Sequence, residues 1–134
     1  MRGISFWFFF TGTLYVAAGM VWGIVMAASG DHSLYPAHAH LNLVGWVTMA
    51  LFGVYYHLVP KAGQHWLAKA HFAVATAGIL IMVPGIVVAL QQAEDTLAKI
   101  GSILTLLSML IFVATVWRSR LAPAQAGLAA STAE

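Results

Sequence analysis

The sequence predicts an all-α integral membrane protein, a bundle of four helices. Of its 134 residues, 61% are hydrophobic and only 7% are charged. Soluble domains carry about 25% charged residues, so this chain has too few charges to cover a water-facing surface. Four apolar segments, at about residues 4–28, 37–59, 70–90 and 100–117, are near the length that spans a bilayer.

The composition also excludes several kinds of site. The chain has no cysteine, so it cannot form a disulfide, a thiolate metal site or an iron-sulfur cluster, and a metal would need His, Met or oxygen ligands. The net charge of +2 comes from Lys and Arg residues that flank the membrane segments. It therefore gives no indication of nucleic-acid binding.

The first apolar segment is predicted to be a retained membrane helix. The hydrophobic region of a signal peptide is about 7–15 residues long, and residues 4–28 exceed that length. Gly12, Gly19 and Gly23 fall on one stripe of this helix at 3.6 residues per turn. Such a stripe allows another helix, or a flat cofactor, to approach the backbone closely.

The segments between the spans are polar. A short break at residues 30–36 contains Asp31 and His32, and the stretch after Pro60 is predicted to be an aqueous loop or a short interfacial turn. Pro84 interrupts the third span and predicts a kink there. Residues 121–134 carry one charged side chain, Glu134, and lack bulk and periodicity, and we expect them to be disordered.

The charges predict the orientation of the chain. Four spans bring both termini to one side, and five basic residues fall on that side: Arg2, Lys61, Lys69, Arg118 and Arg120. Only Lys99 falls on the other side, together with Asp31, Glu94 and Asp95. By the positive-inside rule, the protein is a multi-pass protein of the inner (cytoplasmic) membrane with both termini cytoplasmic.

The second span begins with two histidines, His38 and His40, one residue apart. Residues two apart on an α-helix point about 200° from one another, so these side chains are predicted to face opposite sides. The His38 side would carry Asn42, Gly45, Met49 and Phe52. The His40 side would carry Val44, Val47, Leu51 and Val54.

Imidazoles within a membrane span need partners, which makes the two histidines candidate ligands. A tetrahedral zinc site with His and carboxylate ligands is poorly supported, because the spans contain no acidic residue. Haem needs only one or two axial imidazoles, and its apolar macrocycle fits between helices. The other histidines are expected to be solvated or hydrogen-bonded side chains. His57 is expected in a cytoplasmic interfacial belt with Tyr56, His65, Trp66 and His71, and His32 at the other surface.

The residues HAHLNLVGWVTMALFGVYYHLVPKA resemble the haem-ligating helix of the catalytic subunit of haem-copper oxygen reductases, most closely the C-family, cbb-type enzymes. The next segment, HWLAKAHFAVATAGILIMVPGI, is similar to the following helix of that subunit. The similarity covers residues 35–90. It implies that one histidine of the pair ligates a high-spin haem and the other a low-spin haem.

The chain also departs from that family. It has four spans where the family has about twelve in a pseudo-threefold ring, and it lacks the histidines that hold copper and the crosslinked tyrosine. A homotrimer would restore the ring by symmetry, because identical subunits usually assemble by cyclic closure. In such a ring, each pore would receive His38 from one subunit and His40 from the next.

The resemblance therefore implies a haem-binding protein with b-type haem, acting in electron transfer or in binding a diatomic gas. His38 and His40 are the expected iron ligands, Asn42 a partner of the ligands, and Gly45 a position that gives clearance for the macrocycle. The partners would be the lipid bilayer, further copies of the chain and a redox partner. A minimal oxidase or nitric oxide reductase with a second metal such as copper, and a cofactor-free subunit or assembly partner, are the alternatives.

Overall fold

The computed structural model describes residues 1–120, which form helices joined by short loops. Helix α1 spans Ile4–Ser29, α2 spans Tyr35–Leu58, α3 is a short helix at Pro60–Gln64, α4 spans Trp66–Gln92 and α5 spans Thr96–Ser119. Helices α1, α2, α4 and α5 are long and apolar enough to cross a membrane. This confirms the predicted all-helical membrane protein with four candidate spans. The disorder predicted at residues 121–134 lies outside the described residues.

The helices extend further than the apolar segments from which they were predicted. Helices α4 and α5 each begin four residues earlier than expected, and the stretch after Pro60, predicted to be a loop or turn, is mostly helical. Polar residues end a hydrophobic run without ending a helix. Pro60 suits the first turn of α3, and the imidazole of His65 caps α4 by accepting the N–H of Leu67.

Small residues bring the helices together as two antiparallel pairs, α1 with α2 and α4 with α5. Methyl groups at Gly12, Gly19 and Gly23 would each meet a side chain of α2, so the glycine stripe of α1 packs against a helix as predicted. A methyl group at Gly85 or Gly101 would run into the backbone of the facing helix in the α4/α5 pair. Both pairs thus use the small-residue contacts typical of membrane helices.

An aromatic cluster joins the two pairs near the end of the bundle that carries the N-terminus. It consists of Phe8 of α1, Phe52 and Tyr56 of α2, His71 of α4 and Phe112 of α5, with ring centroids as close as 4.5 Å. Phe8 and His71 are completely buried. Beside this cluster, a pocket that shares Phe52 with it lies between α2, α4 and α5.

The outer surface of the bundle is apolar. Large side chains such as Ile24, Leu43 and Ile103 are about two-thirds exposed, at 68%, 63% and 66%. Their exposure would be costly in water and is compatible with contact with lipid chains. We call the end with the N-terminus, α3 and the end of α5 the termini face, and the end with residues 30–34 and 93–95 the opposite face.

Candidate functional site

The middle of α2 is a widened helix. Leu41–Thr48 is π-helical, between α-helical turns at Tyr35–His40 and Met49–Leu58. The Asn42 amide donates to the His38 carbonyl at 3.0 Å, and the Thr48 hydroxyl donates to the Leu43 carbonyl at 3.0 Å. Such side-chain bonds compete with the α-helical hydrogen-bond ladder. π-helical segments occur frequently at functional sites, and this one begins directly after His40.

The widened segment changes which side chains share a face. Each residue of an α-helix advances the direction by about 100°, so a residue added by a π turn rotates everything that follows. Met49 and Phe52 were predicted on the His38 side, but both line the pocket that contains His40. That placement was wrong because it assumed a regular α-helix. Val47, Leu51 and Val54, predicted on the His40 side, lie on the outer surface.

His40 lines a pocket of about 380 Å³ between α2, α4 and α5. Most of its walls are apolar, with hydroxyl groups from Thr48, Ser102, Thr105 and Ser108. Three thioethers also line it: Met49, Met82 and Met109. Because Leu106 and Met109 are 60% and 41% exposed, the pocket opens onto the outer surface of the bundle.

The His40 imidazole is held by one nitrogen only. Its Nδ1 lies 2.7 Å from the carbonyl oxygen of Pro36, which can only accept, so Nδ1 carries a proton and donates it. In the neutral imidazole, Nε2 then has a free lone pair. Within residues 1–120, no group hydrogen-bonds to Nε2. A backbone carbonyl on one imidazole nitrogen is the usual support for a histidine that ligates a metal through the other.

His38 lies on the other flank of α2, in a shallow groove against α1. The groove is also lined by Gly19, Gly23 and Asn42, and the indole of Trp22 meets the His38 imidazole edge-to-face at 6.1 Å. A methyl group at Gly23 would lie 3.2 Å from Cε1 of His38. The predicted opposition of His38 and His40 is therefore confirmed, since they face different neighbouring helices.

Asn42 and Gly45 have clear packing partners. The amide nitrogen of Asn42 lies 3.2 Å from Nε2 and 3.4 Å from Nδ1 of His38, so the predicted contact between these side chains is present. The lack of a side chain at Gly19 makes room for Asn42. A methyl group at Gly45 would lie 3.2 Å from Cβ of Tyr15. The close packing of α1 on α2 therefore explains why position 45 is occupied by glycine.

His71 is the most buried histidine and was assigned incorrectly from the sequence. It was expected with Tyr56 in an interfacial belt, but the two are 0% and 2% exposed. One nitrogen of His71 bonds to the Tyr56 hydroxyl at 2.9 Å and the other to the Ser108 hydroxyl at 3.0 Å. Hydropathy alone could not predict that His71 is buried and hydrogen-bonded at both imidazole nitrogens. The available signal was that Tyr56 and Ser108 are polar groups within spans and need partners.

The remaining histidines lie at the surface. His32, His57 and His65 are all exposed, and His32 is held through Nδ1 by the carbonyl of Gly30 at 3.1 Å. Among residues 1–120, no three His, Asp or Glu side chains come close enough to hold a metal ion. The residues described do not by themselves build a three-ligand metal centre, whereas haem iron requires only one or two protein ligands.

No family model, curated protein or solved structure matches this chain.

Proposed function

We propose that this chain is a haem-binding membrane protein in which His40 is an axial ligand of a b-type haem. The protein would act in electron transfer or in the binding of a diatomic gas. The observation that carries the proposal is His40, which lines an apolar pocket and whose Nδ1 is held by the Pro36 carbonyl, so that the lone pair of Nε2 has no partner among residues 1–120.

The pocket suits an apolar macrocycle better than a hydrated ion. Its volume of about 380 Å³ lies near the lower end of the roughly 300–1,000 Å³ of small-molecule sites, so the pocket would enclose part of a macrocycle and leave the rest at its open side. Its walls are mostly aliphatic and thioether side chains, with four hydroxyl groups and no carboxylate. An isolated divalent ion would lack the charged ligands it needs there, whereas haem brings four of its own ligands to the iron.

The open side of the pocket supports assembly with further copies of the chain. One flank of α2 presents the His40 pocket and the other presents the groove with His38. If the His38 groove of one subunit covers the His40 pocket of the next, the contact is heterologous, and such a contact forms a closed ring where the rotation between neighbouring subunits divides a full turn evenly. A homotrimer of this kind would combine His40 and His38 from neighbouring subunits at each haem.

The ligand count decides which chemistry the haem supplies. Two axial imidazoles leave the iron no free position and favour one-electron transfer, whereas a single imidazole leaves room for oxygen or nitric oxide. The chain would contribute the ligands, their orientation by Pro36 and Asn42, and a mostly apolar pocket. No Cys-x-x-Cys-His motif exists for covalent attachment.

The proposal is tested on the full chain purified in detergent after expression with sufficient haem. We expect a Soret band, b-type haem on extraction, one haem per subunit and a native mass of three subunits. The carbon monoxide difference spectrum distinguishes the two ligand counts, because only iron with a free position responds.

The alternatives predict different results. Colourless protein without extractable haem would contradict the proposal and favour the cofactor-free subunit. Stoichiometric copper beside the haem would favour the minimal oxidase or nitric oxide reductase. A native mass other than a trimer would contradict the ring, while the role of His40 would remain to be judged from the spectrum.

A further inference from the structure

The termini face contains a small basic pocket that the haem site does not use. Lys61 of α3, His65 before α4, and Arg118 near the end of α5 line a cavity of about 160 Å³. Leu67, Thr115 and Ser119 complete most of its wall. Three different elements thus contribute to one concave site.

The pocket offers hydrogen-bond donors for an anion. His65 Nδ1 accepts the N–H of Leu67 at 3.2 Å, so the proton of the imidazole resides on Nε2, which can donate. Lys61 and Arg118 can only donate. Thr115 and Ser119 already donate their hydroxyl protons to backbone carbonyls of α5, each at 2.8 Å, which leaves their oxygens as acceptors for hydroxyl groups.

No described carboxylate competes for these cations. The acidic residues within residues 1–120 are Asp31, Glu94 and Asp95, and all belong to the opposite face. The one ion pair in this part of the chain joins Lys99 to Asp95 at 2.8 Å, also on the opposite face. The basic pocket therefore has positive charge without an internal counter-ion in the described residues.

Two tryptophans indicate that the pocket lies at the depth of lipid headgroups. Trp66 and Trp117 flank it along the chain and are 68% and 58% exposed. Exposed tryptophans mark the membrane–water interface, where the indole meets headgroups. The guanidinium of Arg120 stacks over the Trp117 indole at 3.2 Å, which keeps that indole beside charged groups.

We propose that this pocket binds the headgroup of an anionic glycerophospholipid, with Lys61, Arg118 and His65 around the phosphate. Basic pockets between membrane helices are a recognised means of binding such headgroups. The volume accommodates a headgroup and leaves the acyl chains along the apolar surface of the bundle. The acceptor oxygen of Ser119 would receive a hydroxyl group of a glycerol headgroup.

The test compares lipid binding by native mass spectrometry of the full chain, with phosphatidylglycerol against phosphatidylcholine. We expect a preference for phosphatidylglycerol that the double variant Lys61→Gln/Arg118→Gln reduces by about thirtyfold, since each basic residue near an anionic surface contributes about 1 kcal/mol. The control Arg2→Gln/Lys69→Gln removes the same charge from the same face, outside the pocket, and should change binding less than threefold.

Two further measurements complete the test. The charge-conserving double variant Lys61→Arg/Arg118→Lys should retain the preference, which separates loss of charge from misfolding. Equal losses in the pocket and control variants would overturn the proposal, because the attraction would then be diffuse. Inorganic phosphate that binds as tightly as phosphatidylglycerol would also overturn it, because the ligand would then be a free anion.

Discussion

Two histidines of this bundle, His71 and His40, occupy opposite physical situations. His71 is completely buried, with both imidazole nitrogens bonded to hydroxyl groups of neighbouring helices. His40 is exposed at a pocket, with one nitrogen bonded and the other uncommitted. The first arrangement is complete and links three helices. The second leaves one nitrogen without a partner among the described residues, as the proposed ligation of haem iron by His40 requires.

The largest expected effect comes from His40. We expect His40→Ala to abolish haem binding, because the pocket would lose its only imidazole among the described residues. We expect His38→Ala to keep haem but to convert it to a high-spin form that binds carbon monoxide, because one axial position is vacated. Absorption spectra with and without carbon monoxide distinguish the two variants.

His57→Ala is the matched control for these two variants. His57 is exposed at the termini face and lines neither the pocket nor the groove of α2. Its replacement should leave the spectrum unchanged. Retention of normal haem by His40→Ala would contradict the assignment of His40.

The next largest effect is expected on stability. His71→Leu leaves the buried hydroxyl groups of Tyr56 and Ser108 without their partner. An unsatisfied buried polar group costs about 1–3 kcal/mol, so we expect unfolding to become easier by about 3 kcal/mol. Unfolding in detergent, followed by circular dichroism, measures this change.

The exposed His57→Leu variant is the control and should change stability by less than about 0.5 kcal/mol. His71→Gln should recover part of the loss, because its amide both donates and accepts. If His71→Leu were as stable as the wild type, the buried hydrogen bonds would contribute little, and His71 would not differ from His40 as described.

Glycine substitutions extend the comparison to helix packing. A methyl group at Gly101 would meet the backbone of Met82, and overpacking of this kind costs about 1–3 kcal/mol. A methyl group at Gly23 would meet only the side chain of His38, at 3.2 Å. We expect Gly101→Ala to lower the unfolding temperature and Gly23→Ala to alter the haem spectrum with little loss of stability. A loss of stability in Gly23→Ala, together with an altered haem spectrum in Gly101→Ala, would contradict the assignment of Gly101 to helix packing and of Gly23 to the surroundings of His38.

The smallest expected effect comes from Asn42. Its amide lies beside the His38 imidazole and bonds to the His38 carbonyl. Groups that orient a metal ligand typically contribute about 10–100-fold to affinity, and we expect Asn42→Leu to weaken haem binding about tenfold. Haem titration measures the change. As the control, Thr13→Val removes a side-chain bond to the backbone of α1 at a residue that lines neither the pocket nor the groove, and it should leave affinity unchanged. An equal loss in this variant would indicate a general effect on the fold rather than on His38.

Hydrophobicity was enough to predict the four spans and their all-helical character. It could not predict their ends, because the charge of Lys69 interrupts the apolar run although Lys69 lies in the first turn of α4. Helical periodicity correctly predicted that His38 and His40 face opposite sides of α2, because both lie in a regular α-helical turn. It placed Met49 and Phe52 on the wrong side, because hydropathy gives no signal for the π-helical segment that precedes them.

Chemical rescue of His40 tests the central claim most directly. The variant His40→Gly leaves space for an imidazole molecule beside the pocket, and the haem content is measured with and without added imidazole. We predict a colourless protein that regains the Soret band when imidazole is added. A His40→Gly protein that retains haem without imidazole would contradict the assignment of His40 as an axial ligand.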